Sequence, residues 1–140
     1  MIEIYTDGAC LGNPGPGGWA AIILINGNQK VISGQSVKTT NNRMELTASI
    51  KSLEYFKSKK KICIYTDSKY LKDGITKWII KWEKNNWKNS KKQDVKNKDL
   101  WEKLKILIKL HEVSWSWVKA HSTNSFNNLA DKFAKEAIKS

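Results

Sequence analysis

Ile2-Glu3-Ile4-Tyr5-Thr6-Asp7-Gly8 runs directly into Ala9-Cys10-Leu11-Gly12-Asn13-Pro14-Gly15-Pro16-Gly17-Gly18, a short β-favouring stretch followed by a glycine- and proline-rich loop. The stretch delivers one carboxylate, Asp7, to its C-terminal end. Its tetrapeptide Ile4-Tyr5-Thr6-Asp7 returns sixty residues later as Ile64-Tyr65-Thr66-Asp67. Side chains alternate along a strand, so each Asp shares a face with the Tyr two positions before it. If the twin strands are parallel neighbours, their backbones lie ~4.8 Å apart and the carboxylates stand at one height. Carboxylates that close repel unless one is protonated or a cation lies between them. A single Asp at an element end reads as a turn or helix cap. The repeat on twin buried strands reads as a cation site.

Working outward, Trp19 to Ile25 forms a second buried strand, Asn26-Gly27-Asn28 a hairpin turn, and Val31 to Val37 a third strand. These three make an antiparallel meander at one end of a sheet. Thr39-Thr40-Asn41-Asn42 precedes a helix, with Asn42 the expected N-cap and Glu45 the third helical position. Leu46, Ile50 and Leu53 give that helix its core stripe. Glu45, on the edge of the stripe, either closes a capping box or aims a third carboxylate at the two Asp. Ile62 to Asp67 is a fourth strand, and the helix before it supplies the crossover that makes it parallel to the first.

The remaining chain reads as a short helix over Ser68 to Asp73 ended by Gly74, and another over Thr76 to Lys84. A basic, loop-like excursion then covers Trp87 to Lys98, followed by a helix over Asp99 to Leu110 and a fifth strand over Val113 to Val118. Lys119 to Asn127 reads as a polar loop holding His121, and Leu129 to Ile138 as a closing helix with Asp131 in its first turn.

With 140 residues the chain is expected to form one domain with a sizeable core. Its longest apolar run, Trp19 to Ile25, is far short of the ~18 residues of a membrane span. No signal-peptide pattern opens the chain, and two cysteines, Cys10 and Cys63, make neither a disulfide framework nor a zinc cluster. A reduced, cytoplasmic setting is the expectation. The net charge is +12, and half of it falls between Lys77 and Lys98, where eight Lys face only Glu83 and Asp94. Such a block expects a polyanion, nucleic acid before an anionic membrane. With Arg43 the single Arg, compositional drift toward Lys is a second source of that charge.

Asp7, Asp67, Asp131 and Glu45 all sit near element ends, where side chains can converge on one edge of a sheet. Oxygen ligands without His or Cys suit Mg²⁺ or Mn²⁺ rather than zinc. Beside a basic surface, such a site fits two-metal phosphodiester hydrolysis. Asp131 taken alone reads as a complement to its helix dipole. His121 taken alone reads as surface decoration, yet a base near an activated water is a sensible role. Trp78, Trp82 and Trp87, interleaved with Lys, read as a platform for a nucleic-acid backbone or as a local mini-core. His111 reads as structural.

With these residues in hand, the chain resembles a type 1 ribonuclease H of the bacterial kind, from Ile2 to about Ile138. The resemblance is carried by Tyr5 to Gly18, Thr39-Thr-Asn-Asn-Arg-Met-Glu-Leu46, Tyr65-Thr-Asp-Ser68, the Trp/Lys excursion, Trp117-Val-Lys-Ala-His121 and Asp131. It implies that Asp7, Glu45, Asp67 and Asp131 bind metal and that His121 is the catalytic loop histidine. It further implies that Cys10, Asn13, Asn41, Asn42 and Lys69 meet the RNA strand, and that the region of Thr40 holds a phosphate of the DNA strand. The excursion from Trp78 to Lys98, with Trp82, Lys88, Lys91, Lys92 and Lys96, resembles the family's substrate-binding handle. Two departures stand out: Ala120 where Gly is usual before His121, and Lys69 where Gln is expected.

The expectation is therefore an α/β fold with a five-stranded mixed sheet, order 3-2-1-4-5, flanked by helices. A single ribonuclease H domain is expected over residues 1–140, with its handle at about 78–98. It would cleave the RNA strand of RNA/DNA hybrids with two Mg²⁺ ions per site when substrate is bound, Mn²⁺ being a possible substitute. A cytoplasmic monomer without membrane attachment is expected. The full carboxylate set argues against a hybrid-binding module without activity. A standalone protein is expected over a piece of a reverse transcriptase.

Overall fold

The computed structural model describes residues 1–119 and 125–139. Its sheet grows from the twin tetrapeptides. Strand β1 (Ile2–Cys10) lies parallel to β4 (Lys61–Thr66), and the register sets Ile4 against Ile64 and Tyr5 against Tyr65. Strand β2 (Gly15–Ile25) pairs antiparallel with β1, and β3 (Asn28–Thr39) antiparallel with β2. Strand β5 (Glu112–Trp117) adds to β4 in parallel, which gives the order β3-β2-β1-β4-β5. This is the expected topology.

The period-two alternation of β1 and β4 divides the core between the two faces. On one face Ile4, Ile23, Ile62 and Ile64 pack with Leu46, Ile50 and Leu53 of helix α1 (Asn41–Glu54), together with Leu71, Trp101 and Leu104. On the other, Tyr5 and Ile22 pack under Ala130, Leu129 and Phe133 of helix α5 (Ser125–Ile138). The Tyr5 and Tyr65 rings stack with centroids 4.4 Å apart, and Phe126 leans on Tyr5 at 5.1 Å. Burying one such large apolar side chain stabilises by roughly 1.5–3 kcal/mol. Both carboxylate-bearing strand ends are therefore anchored by a packed residue on either face.

Three local expectations are corrected. Helix α1 is capped by Thr40, whose hydroxyl accepts from the Arg43 N–H at 3.2 Å, so Asn42 already lies inside the helix and Glu45 belongs to no capping box. Helix α5 begins at Ser125, four residues earlier than Leu129. Contact of Phe126 with Tyr5 rewards that extra turn, so packing overrides the loop-like Asn127-Asn128 pair. As a result Asp131 stands in the second turn and not the first. His121 and Ala120 lie outside the described residues.

The third correction concerns Gly74, which ends no helix. Helix α2 (Lys69–Asp73) runs through a π segment (Gly74–Trp78) directly into helix α3 (Ile79–Lys84), and Gly74 keeps α-helical angles of φ −63° and ψ −48°. Glycine is needed here for space. A Cβ on Gly74 would stand 2.0 Å from Cη2 of Trp101, a fully buried residue of helix α4 (Lys98–Leu110). The Trp101 indole is itself tied, donating from Nε1 to the Tyr70 hydroxyl at 3.0 Å.

His111 is structural, as read. Its Nδ1 accepts from the Lys60 N–H at 3.0 Å, so the Nε2 3.2 Å from the Leu53 carbonyl must carry the proton. The Gly74 packing yields a direct test. Gly74→Ala should destabilise by about 1–3 kcal/mol, the usual cost of overpacking a rigid core, with secondary structure retained. A denaturant midpoint unchanged from the parent would show that the Trp101 ring yields freely.

Candidate active site

Gly8 is the position on which the site turns. It follows Asp7 on β1, just beyond the stretch paired with β4, and a Cβ there would lie 2.6 Å from the Glu45 nitrogen and 2.8 Å from Met44 Cβ. Without that side chain, the first turns of α1 close onto the strand end, and the Gly8 N–H donates to Oε1 of Glu45. Glu45 is only 4 % exposed. Asp67 follows β4 as Asp7 lies on β1, and the parallel register brings the two together. One carboxylate oxygen from each of Asp7, Glu45 and Asp67 lies within 4.8 Å of the other two. From the opposite side of the sheet, α5 brings Asp131 into hydrogen-bond contact with Asp7. Asp131 also accepts an ion pair from Lys135 at 3.0 Å, one turn further along.

Burial, above all, drives Asp7 up to about 7, reinforced by the hydrogen bond to Asp131 and the charge of Asp67 and opposed by Glu45 and the Gly8 N–H. Burial likewise drives Glu45 well above the usual carboxylate range, with the Asp7 hydrogen bond and the charges of Asp7 and Asp67 adding to it. The bond between the two favours the charge on Asp7 and the proton on Glu45. A cluster that must hold a proton to relieve its own repulsion is one that a divalent cation would complete. Three hard oxygens without His or Cys are the donor set for such an ion.

The other expected residues fall into separate groups. Cys10, Asn13, Thr40 and Asn41 lie together: Cys10 Sγ is 3.3 Å from the Thr39 carbonyl, and Asn13 Oδ1 accepts from the Asn41 N–H at 2.8 Å. Asn42 is exposed beside them, about one helical turn from Glu45. Lys69 is exposed at the start of α2, two residues beyond Asp67. Trp78, Trp82, Lys88, Lys92 and Lys96 line one open cleft, while Lys91 is exposed outside it.

The tryptophans serve both readings, and unequally. Trp78, Trp82 and Trp87 form a run of rings, with centroids 5.8 and 5.9 Å apart, packed against the main core. Only Trp78 and Trp82 also face the cleft, so Trp87 belongs to the core rather than to a platform. The excursion is pinned rather than loose. Val95 is buried with its N–H on the Trp87 carbonyl at 2.9 Å, and Lys88 pairs with Asp94.

Sequence reasoning missed the mount of this excursion. Arg43 makes a two-pronged bond to Asp99, at 3.1 and 2.8 Å, and a third to Asn97 Oδ1 at 3.1 Å. Asn97 in turn donates to the Tyr70 hydroxyl at 3.0 Å. Lys could not supply that planar fork. The available signal was that the single Arg in a Lys-rich chain falls at this position.

The fold and site together define an α/β protein that gathers carboxylates able to hold a cation beside two parallel strands. Residues 1–139 match the family model described as RNase H. Ribonuclease H of Francisella philomiragia is 58 % identical over 137 residues, 98 % of this chain and 90 % of that protein. Among solved structures, LC9-RNase H1, a type 1 RNase H with the type 2 active-site motif, superposes with a TM-score of 0.87 at 28 % identity, over 99 % of this chain and 72 % of that one. LC11-RNase H1, solved in complex with an RNA/DNA hybrid, shares the fold with a TM-score of 0.68 at 24 % identity, over 99 % of this chain and 97 % of that one. The chain belongs to the ribonuclease H family of enzymes.

The electrostatics carry a testable sign. Asp7 binds its proton more tightly folded, at about 7 against 3.8 unfolded, and Glu45 is raised as well. Their favourable contribution is therefore fully present below the unfolded values and is lost as pH rises through the folded ones. In a chelator, the melting temperature should fall between about pH 5 and pH 8. Asp7→Asn should flatten that fall, and Mg²⁺ should restore stability at the upper end. A metal-free profile that rises over the same interval would contradict the clustering.

Proposed function

We propose that the chain cleaves the RNA strand of RNA/DNA hybrids internally, leaving 3′-hydroxyl and 5′-phosphate ends, with two Mg²⁺ ions bound alongside the substrate. The observation that carries this reading is the convergence of Asp7, Glu45 and Asp67 in a chain of the ribonuclease H family. When bound, two such ions supply an activated water and neutralise the departing oxygen, with Mn²⁺ able to substitute.

The protein's part is to hold the carboxylates and place the strand. Asp7, Glu45, Asp67 and Asp131 are the metal-binding set in this reading. The Gly8 N–H orients Glu45, and Lys135 orients Asp131. The contiguous patch of Cys10, Asn13, Asn41 and Asn42 meets the RNA strand, whose 2′-hydroxyls distinguish it from DNA. Lys69 adds a charge to that strand, and Thr40 stands near a DNA phosphate. Residues 78–98 act as the handle, with Trp78, Trp82, Lys88, Lys91, Lys92 and Lys96 toward the duplex. His121 moves a proton or helps product leave. The hybrid-bound structure of LC11-RNase H1 supports the substrate class. One chain supplies all four carboxylates, which suits a monomer, and its free cysteines suit a reduced, cytoplasmic setting. Among the described residues no helix is long and apolar enough to cross a membrane.

The primary test incubates end-labelled hybrid, duplex RNA and duplex DNA with the protein, in Mg²⁺ and in chelator. Metal-dependent cutting confined to the RNA of the hybrid is expected, and equal cutting of all three duplexes would end the assignment. Asp7→Asn or Asp67→Asn should abolish that cutting while hybrid binding stays nearly intact. Near-parental turnover in either would remove these residues from metal binding.

Replacing Lys88, Lys91, Lys92 and Lys96 with Ala should weaken hybrid binding and flatten its salt dependence, since fewer counterions are released. Turnover at saturating hybrid should change little. An unaltered salt slope would leave the basic block as compositional drift.

A helper that relays a proton is useful but dispensable. His121→Ala should therefore lower kcat by roughly one to three orders of magnitude, with a smaller change in KM. Ala120→Gly should raise turnover if the missing Gly slows the loop. Steady-state kinetics on one hybrid at fixed Mg²⁺ decide: full activity in His121→Ala would make the histidine a bystander.

A further inference from the structure

A second cleft, of about 490 Å³, opens where β4 and β5 end, whereas the Cys10–Asn13–Asn41 patch lies by β1 and β3, on the other side of β4 in the sheet order. Its walls carry Lys69, Lys72 and Lys77 from the α2 and π segments and Lys119 from just beyond β5, with Trp117 also in the lining. Asp67 itself is part of the lining. All four lysines are exposed. Asp73, the other acid of this cleft, is ion-paired with Lys77 at 3.7 Å, which leaves most of the positive charge directed at solvent. The walls are fixed in place. The Val118 N–H donates to the Thr66 carbonyl at 3.0 Å, which holds the segment bearing Lys119 beside Asp67, and the Trp117 ring stacks on Trp115 at 5.4 Å with 7° between planes.

The cleft shares Asp67 with the carboxylate cluster, so a strand with a phosphate at the cluster that runs on past Asp67 toward β5 enters it, while its other direction is open to the Asn13 patch. One strand advances only ~3.4 Å per nucleotide along the duplex axis. The complementary strand, in contrast, lies across a wide groove. We propose that this cleft binds the backbone phosphates of the cleaved strand on one side of the scissile bond, opposite the side met by Asn13, Asn41 and Asn42. The inference rests on the ribonuclease H reading above and adds Lys72, Lys77 and Lys119 to it as strand-positioning residues. It also gives the departure at Lys69 a purpose: the lysine supplies a further cation to a phosphate track.

The test uses duplexes in which a short ribonucleotide tract inside a DNA strand fixes the cutting position. The flank on each side of the tract is shortened in turn. Binding is read by fluorescence anisotropy with Asp7→Asn, alone and combined with Lys72→Gln, Lys77→Gln and Lys119→Gln. On the full-length duplex the combined variant should bind roughly tenfold or more weakly, with a shallower salt slope. Shortening one flank should erase the difference between the two proteins, and shortening the other should leave it. Equal affinities on the full-length duplex would overturn the proposal. So would an equal loss at every flank length, the mark of a general field rather than a seat for particular phosphates. Unmutated protein is assayed for cutting on the same duplexes. Failure there would fall on the ribonuclease H reading, whereas cutting with no flank-dependent difference would fall on this cleft alone. Matching circular dichroism and melting temperatures exclude misfolding as the source of a loss.

Discussion

The contact between Gly8 and the first turns of helix α1 is what the rest of the site depends on. The first strand and the crossover helix meet at a point where any side chain would strike backbone, 2.6 Å from the Glu45 nitrogen. That approach turns the peptide N–H of residue 8 toward the Glu45 carboxylate while residue 7 presents its own. The neighbouring strand then needs only to be parallel and in register for Asp67 to complete the trio. The core on either face serves this geometry. The α1 stripe of Leu46, Ile50 and Leu53 sets the depth of Glu45, and the stacked Tyr5 and Tyr65 hold the two strand ends level.

Such a site lowers the stability of the fold that builds it. Buried carboxylates in mutual contact are retained against both desolvation and repulsion, which is the condition under which a charged cofactor does most for its protein. The same arrangement that readies the cluster for a cation makes it the least favourable part of the metal-free molecule. The well-packed Ile, Leu and Trp residues on one face of the sheet, and Tyr5, Ile22 and Phe133 on the other, offset that cost.

Much of this was legible in the residues, for identifiable reasons. A duplicated tetrapeptide, a hairpin turn at Asn26-Gly27 and an intervening helix restrict the sheet to few arrangements, and the observed order is the expected one. Carboxylates at element ends could be enumerated. What local pattern could not supply was the choice between equally good partners. Thr40 and Asn42 are both competent caps, and the helix starts at Asn41 because the Thr40 hydroxyl takes the Arg43 N–H. Gly74 looks like a stop signal, yet it is an accommodation to an indole 27 residues further along the chain. The start of α5 was missed because Asn127-Asn128 carries loop character, and the contact that overrides it is long-range. The Arg43 fork depends on the meeting of α1 with α4, which no single segment reveals.

The π segment has a consequence for how one rod of helix can face two ways. Around a regular α-helix, residues five apart differ by about 140° in azimuth. Bonding from i to i+5 widens the turn and draws such residues back toward a common direction. Lys72 and Lys77 are five apart, and both look into the cleft beside Asp67. Further along, Trp78 at the close of the π segment and Lys81 and Trp82 of α3 line the cleft of the excursion instead. One slackened turn thus works as a phase shifter between Lys69 and Lys84. It divides a single helical stem into a portion oriented toward the carboxylates and a portion oriented toward the basic arm, without a break in the backbone that would let the two directions drift apart.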